Sequence, residues 1–271
     1  MNITSNYNVK PLLFNQQTNI TFGNNALVQK ELIPKAKTIV KEVSPKVKLI
    51  TNTSDILNTL YVACKNCVVA ESPDEIYENL KNVSNDEKLR VIRKAIKSGH
   101  SSILEHAQVT FTVSDISRVC GQMIKAYRHG SATQKSQRYV AAKDEFNYII
   151  PASISKNPKL KEEYSELMQM ASDLYLKFVN LGIPPEDARY AYPLSITTSA
   201  IATFNLRELL LVENERLCNR AQQEMRKLAE AVKAEVVQKE PWLAEFLIPK
   251  CEALGACPEH KSCGKMLNRM G

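Results

Sequence analysis

Between residues 128 and 139 the chain reads Arg-His-Gly-Ser-Ala-Thr-Gln-Lys-Ser-Gln-Arg-Tyr, with cations at both ends, hydroxyls and amides between them, and no hydrophobic period. A loop of this composition can bind an anion attached to a heterocycle. An arginine fork pairs with phosphate oxygens bidentately, and hydroxyls or backbone N–H groups take the remaining lone pairs. A plain solvated loop has the same composition, so composition alone leaves both readings open. Ser136 stands beside Arg138 in the manner of a nucleophile, but no Ser-His-Asp arrangement surrounds it, which assigns it to binding. A second concentration of chemistry lies near the C-terminus, where Cys251, Cys257 and Cys263 are separated by five residues each, with His260 between the last two. Cys218 supplies a fourth thiolate if the tail folds back. These residues are compatible with a metal site but lack the tight spacing of common zinc modules, and a disulfide or free thiols in a reducing cytosol stay open. Pro249 and Pro258 exclude a long helix or a regular strand here, so an ordered tail needs another constraint.

The elements that must position these residues are visible as periodicities. Val47–Ile50 predicts a short strand, and Ser54 a cap for a helix through Leu57, Leu60 and Cys64. Ser84 with Glu87 forms a capping box for a helix reaching about Lys97. Gln108–Val113 alternates polar and apolar side chains, as a half-buried antiparallel strand does, and Ser114 is the expected N-cap of a helix carrying Ile116, Val119, Met123 and Tyr127. Leu160, Tyr164, Leu167, Ala171, Leu174, Phe178 and Leu181 step by four and three, predicting a helix that stops at Gly182. A second long helix is expected from near Asn205 to about Gln238. The fold class is therefore α+β, an antiparallel sheet with several long helices. Residues 1–45, with seven asparagines in the first 25, read as an N-terminal extension, ordered only if it docks; residues 46–271 carry the regular domain and the cysteine-rich tail.

The 271 residues are 44% hydrophobic and 24% charged, enough for a large buried core. No apolar run is long enough to cross a bilayer and no signal peptide is visible, so we expect a cytoplasmic protein without a membrane partner. The net charge of +7 is spread with acids interleaved. Neither a basic stripe nor an aromatic platform is present, which argues against a nucleic-acid partner. The eight glycines form no G-x-G-x-x-G or Walker loop, so any nucleotide must be held by side chains and helix ends.

Several motifs in fixed order resemble the flavin-dependent thymidylate synthases. The segment Gly99-His100-Ser101-Ser102-Ile103-Leu104-Glu105-His106 is followed by strand, helix, and Ser131, Ser136, Arg138 and Tyr139 in the register of the family pattern R-H-R-x-x-S-x-N-x-x-S-x-R. Downstream, Asp187-Ala188-Arg189-Tyr190, Asn205-Leu206-Arg207 and the run from Arg216 to Arg226 match the family's second half, so the likeness extends from about Val47 to the C-terminus. Counted without a gap, the family's Arg-His-Arg falls on Ala126-Tyr127-Arg128, a glutamine is replaced by Met123, and a polar flavin contact by Leu211. The resemblance implies a thymidylate synthase complementing protein-like fold, a homotetramer with active sites between subunits, and methylation of dUMP with methylenetetrahydrofolate, FAD and NADPH. It implies that Arg216 is the catalytic residue that polarises the uracil ring. It further implies that Gln134, Lys135, Ser136, Gln137, Arg138, Arg189 and Arg216 bind the nucleotide, and that His100, Ser102, Arg128, His129, Asn205 and Arg207 hold FAD. Similar cysteine-rich tails in some members are compatible with a structural role for Cys218, Cys251, Cys257 and Cys263. The alternative is a paralogue that binds a pyrimidine nucleotide without methylating it.

Overall fold

The computed structural model describes residues 39–140 and 145–267. In chain order the elements are β1 (Ile39–Glu42), β2 (Lys46–Asn52), α1 (Ile56–Asn66), α2 (Pro73–Glu78), α3 (Asn85–Lys97), a 3-10 turn over Ser101–His106, β3 (Gln108–Ser117), α4 (Arg118–Lys125), β4 (Gly130–Gln134), β5 (Glu145–Tyr148), α5 (Ala152–Ser155), α6 (Pro158–Asn180), α7 (Pro185–Ala188), β6 (Thr197–Asn205), α8 (Leu206–Arg216), α9 (Gln223–Lys239) and α10 (Lys250–Leu254). Four strands form an antiparallel sheet in the order β2-β3-β6-β4, while β1 and β5 make a parallel pair. Of the expected extension, residues 1–38 lie outside the described residues, whereas Ile39–Glu42 is strand β1, in register with Glu145–Tyr148.

The alternation in β3 buries Val109, Phe111 and Val113 against α1, α3, α8 and α9, whose Leu60, Ile92, Leu206, Leu209 and Val232 complete the main core. A smaller core gathers Phe146, Tyr148, Met168 and Ile196. The capping residue of α3 is Ser84, which accepts from the Glu87 N–H at 3.2 Å, but the Glu87 carboxylate turns to Arg90 instead of closing the box.

Four local expectations are corrected. Helix α1 is capped by Asp55, which takes a left-handed backbone (φ 57°) and accepts from the Asn58 N–H, so Ser54 is not the cap. Strand β3 does not stop for a cap at Ser114. Asp115 adopts φ 55° in a bulge and pairs with Lys46 at 2.8 Å, and the ladder resumes at Ile116–Thr198. Ser117 then caps α4. The single helix expected from Asn205 to Gln238 is two, because α8 ends at Arg216 and Gln222 recaps the chain by accepting from the Met225 N–H. In α6 the buried side is Met168, Ala171, Ser172 and Tyr175, while Leu160, Leu167, Leu174 and Leu181 are 43–64% exposed.

The junction between β3 and α4 is locked to α9 by one buried carboxylate. Glu224 accepts from the Ser117 N–H and from the Ser117 hydroxyl, both at 2.6 Å, and that hydroxyl accepts in turn from the Cys120 N–H at 3.0 Å. Hydrogen bonds to a charged group contribute about 1.5–3 kcal/mol each. Glu224→Ala should therefore lower unfolding stability by at least about 2 kcal/mol, measured from the urea midpoint with the slope unchanged. A loss below about 0.5 kcal/mol would show that water replaces the carboxylate.

Candidate functional site

Strand register gathers the predicted residues at two ends of the four-stranded sheet. Gln108 faces Asn205 and Gly130 faces Phe204, so the start of β3, the end of β6 and the start of β4 share one end. His100, the 3-10 turn that follows it with Ser102, the first turn of α8 and the Arg128-His129 turn all stand there. The Leu206 N–H donates to the Ala107 carbonyl at 2.9 Å, and Arg207 is ion-paired with Glu105. Asn205 caps α8, accepting from the Glu208 N–H at 2.8 Å. Thus the six residues grouped as flavin contacts meet at one end, with His100, Ser102, Arg128, His129 and Arg207 exposed. A donor-rich, cationic surface of this kind fits the diphosphate and ring edges of a dinucleotide.

The opposite end holds the loop expected to bind a nucleotide. Gln134 closes β4, and the Lys135 N–H donates to the Ser199 carbonyl at 2.8 Å, launching the segment that carries Ser136, Gln137 and Arg138. Arg138 reaches the Glu186 carboxylate at 2.8 Å, and the Arg189 Nε donates to the Glu186 carbonyl at 2.9 Å. Arg118 is close enough to Arg189 that burial first, and this neighbouring cation second, hold its guanidinium below its ordinary value. Its place in the first turn of α4 also sets it against the helix dipole. Three arginines converge here, and an anion would relieve their repulsion. The Gln134 amide is buried without a hydrogen-bond partner among the described residues, fitted under Gly121, where a Cβ would stand 2.2 Å from Nε2.

Arg216 belongs to the first end, not the second. At the close of α8 its Nε donates to the Tyr127 hydroxyl at 2.5 Å, its guanidinium lies 5.6 Å from that ring's centroid, and Glu215 sits at 3.5 Å. Tyr127 in turn packs edge-on against Phe204. So Arg138 and Arg189 both contact Glu186, whereas Arg216 contacts Tyr127 and Glu215, and the five residues of β4 span about 13 Å between the two ends of the sheet. A cavity of about 590 Å³ beside Ser117 and Glu224 contains none of the predicted residues. Leu211 is an exposed apolar residue on α8. The cysteines form a different cluster: Cys218, Cys251, Cys257 and Cys263 all line one cavity beyond Arg216.

Sequence reasoning passed over four residues. Tyr127 was visible as a helix position and as a departure from a motif, and Arg118 was given no role, although a cation at a helix start is itself a signal. Nothing in the sequence marks Glu186. Glu213 received no reading from the sequence, yet it is 0% exposed, walls a small void with Tyr127 and Arg216, and neither carboxyl oxygen has a hydrogen-bond partner among the described residues. Burial raises its pKa well above the usual range, opposed only in part by Lys233.

Residues 48–242 match the model of the thymidylate synthase complementing protein family. The chain is 35% identical to a flavin-dependent thymidylate synthase of Geobacter sulfurreducens over 222 residues, covering 81% of this chain and 94% of that one. It is 34% identical to the protein of that name from Clostridium tetani, covering 83% and 95%. Among solved structures it is similar to the UMP/dUMP methylase PolB of Streptomyces cacaoi bound with 5-Br dUMP, with a TM-score of 0.65, 18% identity and coverage of 76% and 97%. That likeness supports the antiparallel α+β architecture.

The buried Glu213 has a pH signature. Its folded pKa is raised, so its penalty is absent below the unfolded carboxyl value of about 4.3 and grows as pH rises toward the folded value. Glu213→Gln, neutral throughout, should raise Tm by several degrees near pH 8 and by little near pH 5. Equal shifts at both would contradict a carboxyl held neutral in the fold.

Proposed function

The chain belongs to the flavin-dependent thymidylate synthase family, and from that membership we propose that it converts dUMP to dTMP, with FAD as cofactor and methylenetetrahydrofolate and NADPH as co-substrates. The names carried by relatives at 34–35% identity over most of the chain support this reading. The observation that carries it to particular atoms is the Arg118–Arg189–Arg138 group beside the loop that follows β4. In our reading these guanidiniums take the nucleotide phosphate, and Lys135, Ser136 and Gln137 surround the sugar and base. Arg216 stabilises the negative charge that develops on the uracil ring as C5 becomes nucleophilic. Tyr127 stands where the family pattern has histidine and holds the Arg216 fork by accepting from Nε, while Nη2 lies 3.5 Å from Glu215 and Nη1 is the nitrogen left to face a ring. Reduced FAD, when bound, supplies the hydride that completes the methyl group. His100, Ser102, Arg128, His129, Asn205 and Arg207 would hold it.

The two ends of the sheet must then be joined across copies of the chain. Exposed Leu160, Leu167, Leu174 and Leu181 recur every seven residues along α6, an apolar stripe suited to a second copy and in keeping with a homotetramer. No helix among the described residues is long and apolar enough to cross a membrane, and we keep the cytoplasm as the proposed location. The nucleotide-binding paralogue without chemistry is not favoured, since Tyr127 replaces the lost contact to Arg216 instead of leaving it vacant.

The test separates the ends. Purified protein given dUMP, methylenetetrahydrofolate, NADPH and FAD should form dTMP, and none formed would overturn the reading. Arg189→Gln should weaken dUMP binding about 10- to 100-fold, the worth of a charge-assisted hydrogen bond, with flavin absorbance retained. Arg207→Ala should release flavin with a smaller effect on dUMP. Loss of both ligands in both variants would refute the division of labour.

A further inference from the structure

We infer that Glu213 is a positioning residue for Arg216: as a neutral carboxyl it leaves the guanidinium turned outward, and as a carboxylate it draws the guanidinium inward. Given the reading of Arg216 as the residue that faces the uracil ring, on which this rests, the carboxyl sets an alkaline limit on the reaction. The geometry is that of a pair not made. Residues three apart on a helix are neighbours, with about 5–6 Å between Cβ atoms, and a glutamate placed before a cation is the favourable order for an ion pair. Glu213 and Arg216 stand so in the last turn of α8, and both wall one void of about 30 Å³, room for about one water molecule. Yet neither Glu213 oxygen has a hydrogen-bond partner among the described residues. Arg216 turns instead to the Tyr127 hydroxyl at 2.5 Å and to the exposed Glu215 at 3.5 Å.

The surroundings hold this carboxyl neutral. Strands β3 and β6 line the void with Phe111, Val113, Ala202 and Phe204, so an anion there loses its hydration and recovers little. The last turn of α8 is also where the helix dipole opposes a negative charge. The titratable and charged groups that face Glu213 are Tyr127, Arg216 on its own helix and, from α9, Lys233. Burial outweighs Lys233, and the carboxyl titrates well above its ordinary range. Raising the pH through that folded value releases the proton to solvent and leaves a carboxylate, shielded from water, facing the guanidinium three residues on. An ion pair away from water is stronger than one at an exposed surface, so Glu213 then draws Arg216 from Glu215. The Nη1 nitrogen that faces the ring at neutral pH is withdrawn with it.

The unaltered chain and Glu213→Gln are compared from neutral to alkaline pH. Near neutral pH the unaltered chain should show the infrared C=O stretch of a protonated carboxyl, which Glu213→Gln removes and alkali abolishes. Modification of Arg216 by phenylglyoxal, followed by peptide mass, needs no nucleotide. The two chains should react alike near neutral pH, and in alkali the unaltered chain should react severalfold more slowly than Glu213→Gln. The kcat/KM for dUMP should fall by about tenfold per pH unit beyond the carboxyl titration in the unaltered chain and less steeply in Glu213→Gln. Glu213→Leu, which cannot ionise, should match Glu213→Gln and decides if the glutamine variant does not fold. No protonated carboxyl near neutral pH, equal Arg216 reactivity at every pH, or identical alkaline limbs of kcat/KM overturns the positioning role. Divergent Arg216 reactivity in a chain that forms no dTMP upholds that role and refutes the proposed reaction instead.

Discussion

The pairing of β3 with β6 is the constraint on which the rest of the molecule depends. Its register, from Gln108 opposite Asn205 to Ser117 opposite Thr197, places both ends of the sheet at once. One end receives the 3-10 turn and the start of α8, locked by the Leu206–Ala107 hydrogen bond. The other receives the start of α4 and the approach from Arg189 to β6. A one-residue slip would turn Val109, Phe111 and Val113 out of the core and carry every candidate ligand contact to the wrong face. The bulge at Asp115 absorbs one such slip locally, and from there Ser117 can reach both Glu224 and α4.

Electrostatics divides the two ends. Around Arg118, Arg189 and Arg138 the cations outnumber the Glu186 carboxylate, which pairs with Arg138 while Arg189 donates to the Glu186 backbone carbonyl, so this end suits an anion. Around Arg216 the partners are a phenol, a surface carboxylate and, beneath them, the buried Glu213. Burial raises the Tyr127 pKa, while the Arg216 hydrogen bond opposes that rise; the hydroxyl stays protonated at neutral pH and orients the guanidinium without neutralising it. Because this holder is neutral, the one carboxylate paired with Arg216 is the half-exposed Glu215 at 3.5 Å, and the Nε contact takes no charge from the guanidinium.

Much of this was legible in the residues. The alternation of Gln108–Val113, the Ser84 cap, the length of α6 and the order of the motifs were visible because each is a local pattern with a local physical cause. What was hidden depends on contacts between distant residues. Nothing local marks the helix break between Arg216 and Gln223, since Leu217 and Ala221 continue an apolar period through it. The exposed face of α6 carries as many leucines as a core face would, and only the packing of Met168 and Tyr175 shows which side turns inward. Glu213 has no sequence signature that separates a buried carboxyl from a solvated one. That Arg138 and Arg189 both contact Glu186 while Arg216 contacts Tyr127 could not be read from motifs that list all three arginines together.

In the reading proposed above the two ends meet in an active site completed by a second copy of the chain, and subunit exchange tests that proposal most directly. A variant altered at Arg189 and another altered at Arg207 should each lose most activity at low substrate and flavin; mixed and allowed to exchange subunits, they should rebuild a site from the intact end of each. Recovery of dTMP formation well above either variant alone is the expected result. No recovery, with mixed oligomers demonstrated by mass, would place both ligands on a single chain and contradict the shared site.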